Sequence, residues 1–163
     1  MDEIWAPIPD FPDYEVSNYG QVRNIRFESV LRPSYGNSRT LKIGLVRDRV
    51  QTTRSLKHIV AEVYVKGKDD IFDTPIQLNG EVTDVTAWNL LWRPRWFAVR
   101  YSRQFTAAPK NAFAGPLRDI ESKVVYERAI DAAIHTGLLV EDIWRSIWYQ
   151  YPTFPTKQRF EAC

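Results

Sequence analysis

Proline and glycine cut this chain into short segments, and that punctuation limits its fold more than any other feature. Pro7, Pro9 and Pro12 keep the opening IWAPIPDFPDYEVSNYGQVRNIRF out of a helix. The segment reads instead as a short strand, a turn at Ser17-Asn18-Tyr19-Gly20 and a second strand. Further on, LKIGLVRDRVQTTRSLK alternates apolar Leu41, Ile43 and Leu45 with Lys42, Arg47 and Arg49 around an Arg47-Asp48-Arg49 turn. That pattern predicts two antiparallel strands with one basic face. HIVAEVYVKG comes next as a short apolar helix or strand. Residues 69–92, with Thr74-Pro75 and Asn79-Gly80, predict a loop or hairpin that ends in a short anchored turn at Trp88–Trp92.

WFAVRYSRQF predicts a short helix. AAPKNAFAGP, residues 107–116, accumulates Ala, Pro, Gly and Asn without apolar periodicity and is the expected linker. Beyond it, LRDIESKVVYE reads as a hairpin. ERAIDAAIHTGLLVEDIWRSIWYQ reads as two helices broken at Thr136-Gly137, with Ala129, Ala132 and Ala133 on one face and Ile143 and Ile147 on the next. The expected organisation is a module over 1–106, a linker over 107–116 and a helix-turn-helix-like module over 117–163. A chain of 163 residues accommodates one ordinary domain or two small ones.

Charge is segregated along the chain. Residues 1–22 hold five acids and no base, whereas residues 23–57 hold nine basic residues against Glu28 and Asp48. Residues 58–92 turn acidic again, and residues 93–118 carry six bases with no acid. Arginine dominates both basic stretches and is interleaved with Tyr, Trp and Phe, the combination that phosphate neutralisation and base stacking require. The alternative for such stretches is a solvated basic face.

A single cysteine, Cys163, excludes an intramolecular disulfide framework and a Cys-based zinc site. The start MDEIWAPIPDF has no basic segment leading into an apolar run, and no stretch of about 18 apolar residues occurs, so neither a signal peptide nor a membrane span is expected. The expected location is the cytoplasm. No phosphate-cradling Gly loop, Cys/His metal spacing or Ser/His/Asp order is present. Of the two histidines, His58 is read as a structural residue in preference to a general base, and His135 as a helix C-terminal residue favourable to the dipole.

Trp5, Ile8, Pro9, Phe11, Tyr14, Val16, Ser17, Asn18, Gly20, Val22 and Arg23 resemble the small DNA-binding module that opens many phage HNH homing endonucleases. IVAEVYV resembles the part leading into the nuclease motif. IQLNGEVTDVTAWNLLW resembles the motif itself, anchored by Asn89-Leu90 and Trp92, and residues 117–147 resemble a C-terminal helix-turn-helix module of the same enzymes. The resemblance implies an α+β fold, with a small antiparallel β-rich front half containing a degenerate ββα finger and a C-terminal hairpin plus helix pair. It also implies a phage origin, and hence a host cytoplasm.

In that family a His base activates water while a divalent cation stabilises the phosphate. Through the Asn89–Trp92 anchor, the metal position falls on Ile76, the base on Gln77 and the helix ligand at or near Ala98. Isoleucine and alanine lack a donor atom and glutamine cannot titrate near neutral pH. A shifted alignment would bring Asn79 or Asp84 to the metal.

The expectation is therefore a pseudoenzyme without cofactor that binds nucleic acid, duplex DNA in particular. Arg23, Arg26, Arg39, Lys42, Arg47, Arg49, Arg54, Arg93, Arg95, Arg100 and Arg103 would grip phosphates. A second reading is a scaffold that binds and inhibits or redirects a host protein, such as a nucleic-acid enzyme, through Glu141, Asp142, Trp144, Trp148, Tyr149 and Tyr151. An active metal-dependent nickase is the third.

Overall fold

The three early prolines and the Ser17–Gly20 turn produce a meander of short strands. In the computed structural model, which describes residues 2–36, 40–107 and 113–163, β1 (Trp5–Ile8), β2 (Phe11–Ser17), β3 (Val22–Asn24) and β4 (Ser29–Leu31) form one antiparallel sheet in sequence order. The two-strand hairpin expected here is thus extended at both ends.

The turn between β2 and β3 is held from several sides. Ser17 N donates to Gln21 O at 2.8 Å and Gly20 N to Ser17 O at 2.9 Å. The Asn18 side chain accepts from Ile4 N at 2.9 Å and donates to Asp2 O at 3.0 Å, while the backbone carbonyl of Asn18 accepts from Ala87 N at 2.8 Å. Gly20 has φ +85°, and a Cβ there would lie 2.4 Å from Val85 Cγ2. Only glycine meets both the left-handed backbone and the close approach.

The alternation of Leu41, Ile43 and Leu45 yields β6 (Leu41–Arg47), paired with β7 (Val50–Ser55) and with the short β5 (Ser34–Tyr35). The joining turn has two residues, Asp48 and Arg49, at φ 52° and 64°. Positive φ at both central positions matches the twist of the flanking strands. The ambiguous apolar segment is a helix, α1 (Leu56–Tyr64), because Leu56, Ile59 and Val60 recur at helical spacing and are buried. Next, β8 (Thr74–Gln77) pairs with β9 (Leu90–Arg93) across a loop that ends in a 3-10 turn at Ala87–Asn89.

These elements form the first of two compact units, residues 1–77 with 81–95. Its core gathers Ile8, Val16, Ile43, Leu45, Ile59, Val60, Leu90 and Trp92. Two phenols tie strands together. Tyr14 Oη accepts from Val46 N at 3.2 Å, and Tyr64 Oη lies 2.7 Å from the carbonyls of Ile4 and Val16.

The second unit comprises residues 78–80 and 96–163. It contains α2 (Arg95–Arg103) from its second residue on, a hairpin of β10 (Leu117–Asp119) and β11 (Val125–Tyr126), α3 (Ala129–Thr136), α4 (Val140–Tyr149) and β12 (Phe160–Ala162), which pairs with β10. Gly137, at φ 67°, caps α3 in the left-handed conformation, as Thr136-Gly137 predicts. Ala132, Ala133, Leu138, Ile143 and Phe160 are fully buried.

The units divide at Arg95/Trp96, ahead of the expected boundary in residues 107–116, because α2 packs with the C-terminal helices. Tyr101 Oη lies 2.8 Å from Leu78 O and 3.1 Å from Ala133 O, and Gln104 Oε1 accepts from Val140 N at 3.0 Å. Residues 108–112 of that linker lie outside the described residues. The fold class is α+β with antiparallel sheets, as expected. No helix among the described residues is long and apolar enough to cross a membrane.

Candidate functional site

The positions expected at a nuclease centre lie on β8 and α2. Ile76 pairs with Leu91 and is buried, so its side chain belongs to the core. Gln77 pairs with Leu90, and its Nε2 donates to Glu81 O at 2.9 Å and to Asp84 O at 3.3 Å. The amide therefore braces the β8–β9 loop. Asp84 turns inward on the same loop, where its carboxylate accepts from Thr86 Oγ1 at 2.7 Å and Thr86 N at 3.2 Å. Asn89, buried, donates to Asp84 O at 2.9 Å.

Ala98 is half-buried on α2, and Asn79 is exposed. No group of three or more His, Cys, Asp or Glu side chains suited to a metal ion occurs among the described residues. Of the positions expected at the metal and the base, Ile76 is a buried hydrocarbon, Gln77 an amide engaged with two carbonyls, and Ala98 a methyl group.

His58 stands half-buried on α1 with its ring 6.2 Å edge-on from Trp92, and its Nδ1 is buried without a hydrogen-bond partner. Its structural role is packing. Burial holds its pKa below the usual imidazole range, reinforced by Lys57 and opposed by Glu62. His135 lies in the last turn of α3, with Nδ1 2.6 Å from Tyr126 Oη.

The basic residues expected at phosphates separate into three groups. Several are matched within the protein. Arg23 meets Glu15 at 2.6 Å and lies 4.3 Å above the Trp5 ring centroid, Arg26 meets Asp13 at 3.4 Å, and Arg54 meets Glu62 at 2.5 Å. Arg100 pairs with Glu141, while Arg93 is buried and donates to Trp92 O at 3.0 Å. Lys42, Arg49, Arg95 and Arg103 are exposed, and Arg47 reaches Asp10 O at 2.9 Å and Asp48 at 3.6 Å from the hairpin end. Arg39 lies outside the described residues.

The β5–β6–β7 sheet concentrates the cations left available. Leu41, Ile43 and Leu45 point into the core, so Lys42, Gly44 and Val46 occupy the other face, opposite Ser55, Thr53 and Gln51. That face is short polar groups, one cation and one valine, with no acid on either strand. Arg47 and Arg49 stand at the end of the hairpin. At strand spacing, three strands span about 10 Å. The outward pair Gln51 and Thr53 was not singled out by its chemistry in the sequence, and Ser55, further along the strand, has its hydroxyl buried. The two-residue turn and the inward Leu-Ile-Leu alternation would have fixed the pair.

In the second unit, α4 begins with acids that are matched locally. Glu141 takes Arg100 and, at 2.5 Å, Arg145. Asp142 lies 3.9 Å from Arg145, and burial pushes its carboxyl above the usual range. Trp144 is partly buried and 6.5 Å from Trp148. Trp148, Tyr149 and Tyr151 are each more than 60% exposed at the far end of the helix and beyond it.

Residues 3–46 match the NUMOD4 motif. An uncharacterized HNH endonuclease of Acanthamoeba polyphaga mimivirus is 32% identical over 93 residues, 55% of this chain and 23% of the relative, so the match spans about a quarter of that protein's length. A solved structure of the HNH homing endonuclease I-HmuI, described for DNA binding and cleavage, covers 100% of this chain and 98% of its own at a TM-score of 0.58 and 18% identity. The resemblance to HNH homing endonucleases thus extends from the opening motif to the fold.

Proposed function

We propose that this chain binds duplex DNA without cutting it, through the outer face of the β5–β6–β7 sheet. The observation that carries this reading is the outer face of β6–β7, where Lys42, Val46, Gln51 and Thr53 are exposed, neither strand carries an acid, and Arg47 and Arg49 flank Asp48 at the hairpin end. A major groove about 12 Å wide admits a two-stranded ribbon such as β6–β7, and cations at its margins meet the flanking phosphates. The likeness to DNA-acting HNH proteins favours the same partner. Absence of cleavage rests on Ile76, Gln77 and Ala98, whose side chains offer neither a base nor a hard-metal ligand.

The test is binding of the purified chain to labelled duplex DNA across a salt series, with and without magnesium or manganese, and inspection of the DNA for nicks. Expected are affinity that falls steeply with salt, with a slope of about −0.9 per phosphate contact, and intact DNA under all conditions. Metal-dependent nicking would overturn the pseudoenzyme reading, and absence of binding would overturn the DNA reading.

The exposure of Trp148, Tyr149 and Tyr151 favours a second reading, in which the C-terminal unit docks a host protein, since exposed aromatics anchor protein interfaces. Binding of that kind would be far less sensitive to salt than phosphate contact.

A further inference from the structure

We infer that Gln51, aided by Val46, is the residue pair that selects an A·T base pair on the sheet face. This deepens the proposed function and rests on it. Val46 and Gln51 are directly opposed in the β6–β7 register, one position from the turn, and both side chains are exposed. Gly44 lies two residues further along β6 on the same face, diagonal to Gln51.

Gly44 explains where the amide goes. A Cβ at Gly44 would come within 2.7 Å of Gln51 Nε2, so the glutamine side chain folds across the glycine toward the middle of the sheet. Glycine inside a strand marks a place where something approaches the backbone closely. Here the approaching group is the head of Gln51, which has no hydrogen-bond partner among the described residues.

A primary amide presents a donor and an acceptor side by side, complementary to adenine N7 and N6 in the major groove, whereas guanine offers two acceptors there. An apolar side chain next to it suits the thymine methyl, and Val46 is 44% exposed at that place. Lys42, Arg47 and Arg49, around this pair, supply contacts that fix register without reading sequence.

The experiment is selection of bound sequences from a randomised duplex library with the full chain, and then affinity measurement at one salt concentration. The selected duplex is compared with versions carrying G·C at the preferred A·T pair, or uracil for its thymine. Wild type is expected to discriminate against G·C by roughly 5- to 150-fold. Gln51→Ala should abolish that discrimination while keeping the salt slope. Gly44→Ala keeps the amide but pushes it aside, and should weaken the discrimination in the same direction. Val46→Ala should erase the difference between thymine and uracil. Salt-sensitive binding in which Gln51→Ala retains the full A·T preference, or in which wild type shows no such preference, overturns this inference alone. Failure of the folded wild-type chain to bind the library overturns the proposed function with it.

Discussion

The β6–β7 hairpin and helix α4 both look suited to contact a partner, yet they dispose of their charge in opposite ways. On the hairpin, Lys42 and Arg49 are exposed without an ion-pair partner among the described residues, both strands are free of acid, and the turn's Asp48 meets only Arg47, at 3.6 Å. On α4, Glu141 is shared between Arg100 and Arg145, so the helix start is electrostatically closed on itself and the exposed groups at its far end, Trp148 and Tyr149, are aromatic. Local density of arginine in the sequence therefore says little until the acids that face it are known. Arg54 and Arg100 come from the two most basic stretches, and both meet a carboxylate.

The largest expected effect tests what holds the first unit in shape. Gly20→Val forces a β-branched residue into φ +85° and into Val85, and should cost roughly 2–5 kcal/mol in urea unfolding from strain and overpacking together. A loss below about 1 kcal/mol would mean that the turn is not pinned to residue 85.

Next, Arg49→Gly separates charge from conformation at the hairpin. It relieves a non-glycine residue at φ 64° and should raise stability by up to about 1 kcal/mol, while lowering the salt slope of DNA binding by about one. A more stable variant with an unchanged slope would remove the hairpin end from the interface.

Glu141→Gln asks the matching question of α4. The three partners are about half exposed, so the loss of stability should stay below about 1 kcal/mol, and DNA affinity should not change. A tenfold gain in affinity would break the contrast, because it would place phosphate beside the start of α4.

The smallest effect belongs to His58. Its pKa is depressed in the folded protein, so the unfolded chain binds the proton more readily. The associated stability is present above the usual imidazole value of about 6.5 and is lost as pH falls through it toward the folded value. Unfolding measured between pH 7.5 and 5 should show this decline, and His58→Leu should flatten it.

Much of the first unit was legible because its signals are local. The Leu41-Ile43-Leu45 alternation gave the hairpin and its buried face, and Asn18 and Gly20 marked a turn whose need for glycine Val85 explains. The break at Gly137 was equally plain, since a left-handed cap is a direct result of residue type. The illegible parts depend on distant pairing. β12 was missed because Phe160–Ala162 has too few residues for a periodic pattern and exists by pairing with β10 some forty residues earlier. The division at Arg95/Trp96 was missed because α2 is assigned by its contacts with Leu78, Ala133 and Val140 rather than by a change in composition. At the positions expected to form the site, the hydrocarbon side chains of Ile76 and Ala98 are plain from residue identity alone. The internal use of Gln77 and Asp84 required the loop geometry.

The turn at Ser17–Gln21 also bears on the order in which the chain is made. Asn18 O accepts from Ala87 N, and Gly20 abuts Val85, so the motif matched over residues 3–46 closes only against a strip translated about forty residues after it. A nascent chain halted at residue 46 would hold the meander without its latch, and such non-local closure slows folding because loop entropy is paid before the contact forms. Ribosome-bound fragments ending before and after residue 90 should therefore differ sharply in protease resistance, although both contain the whole opening motif.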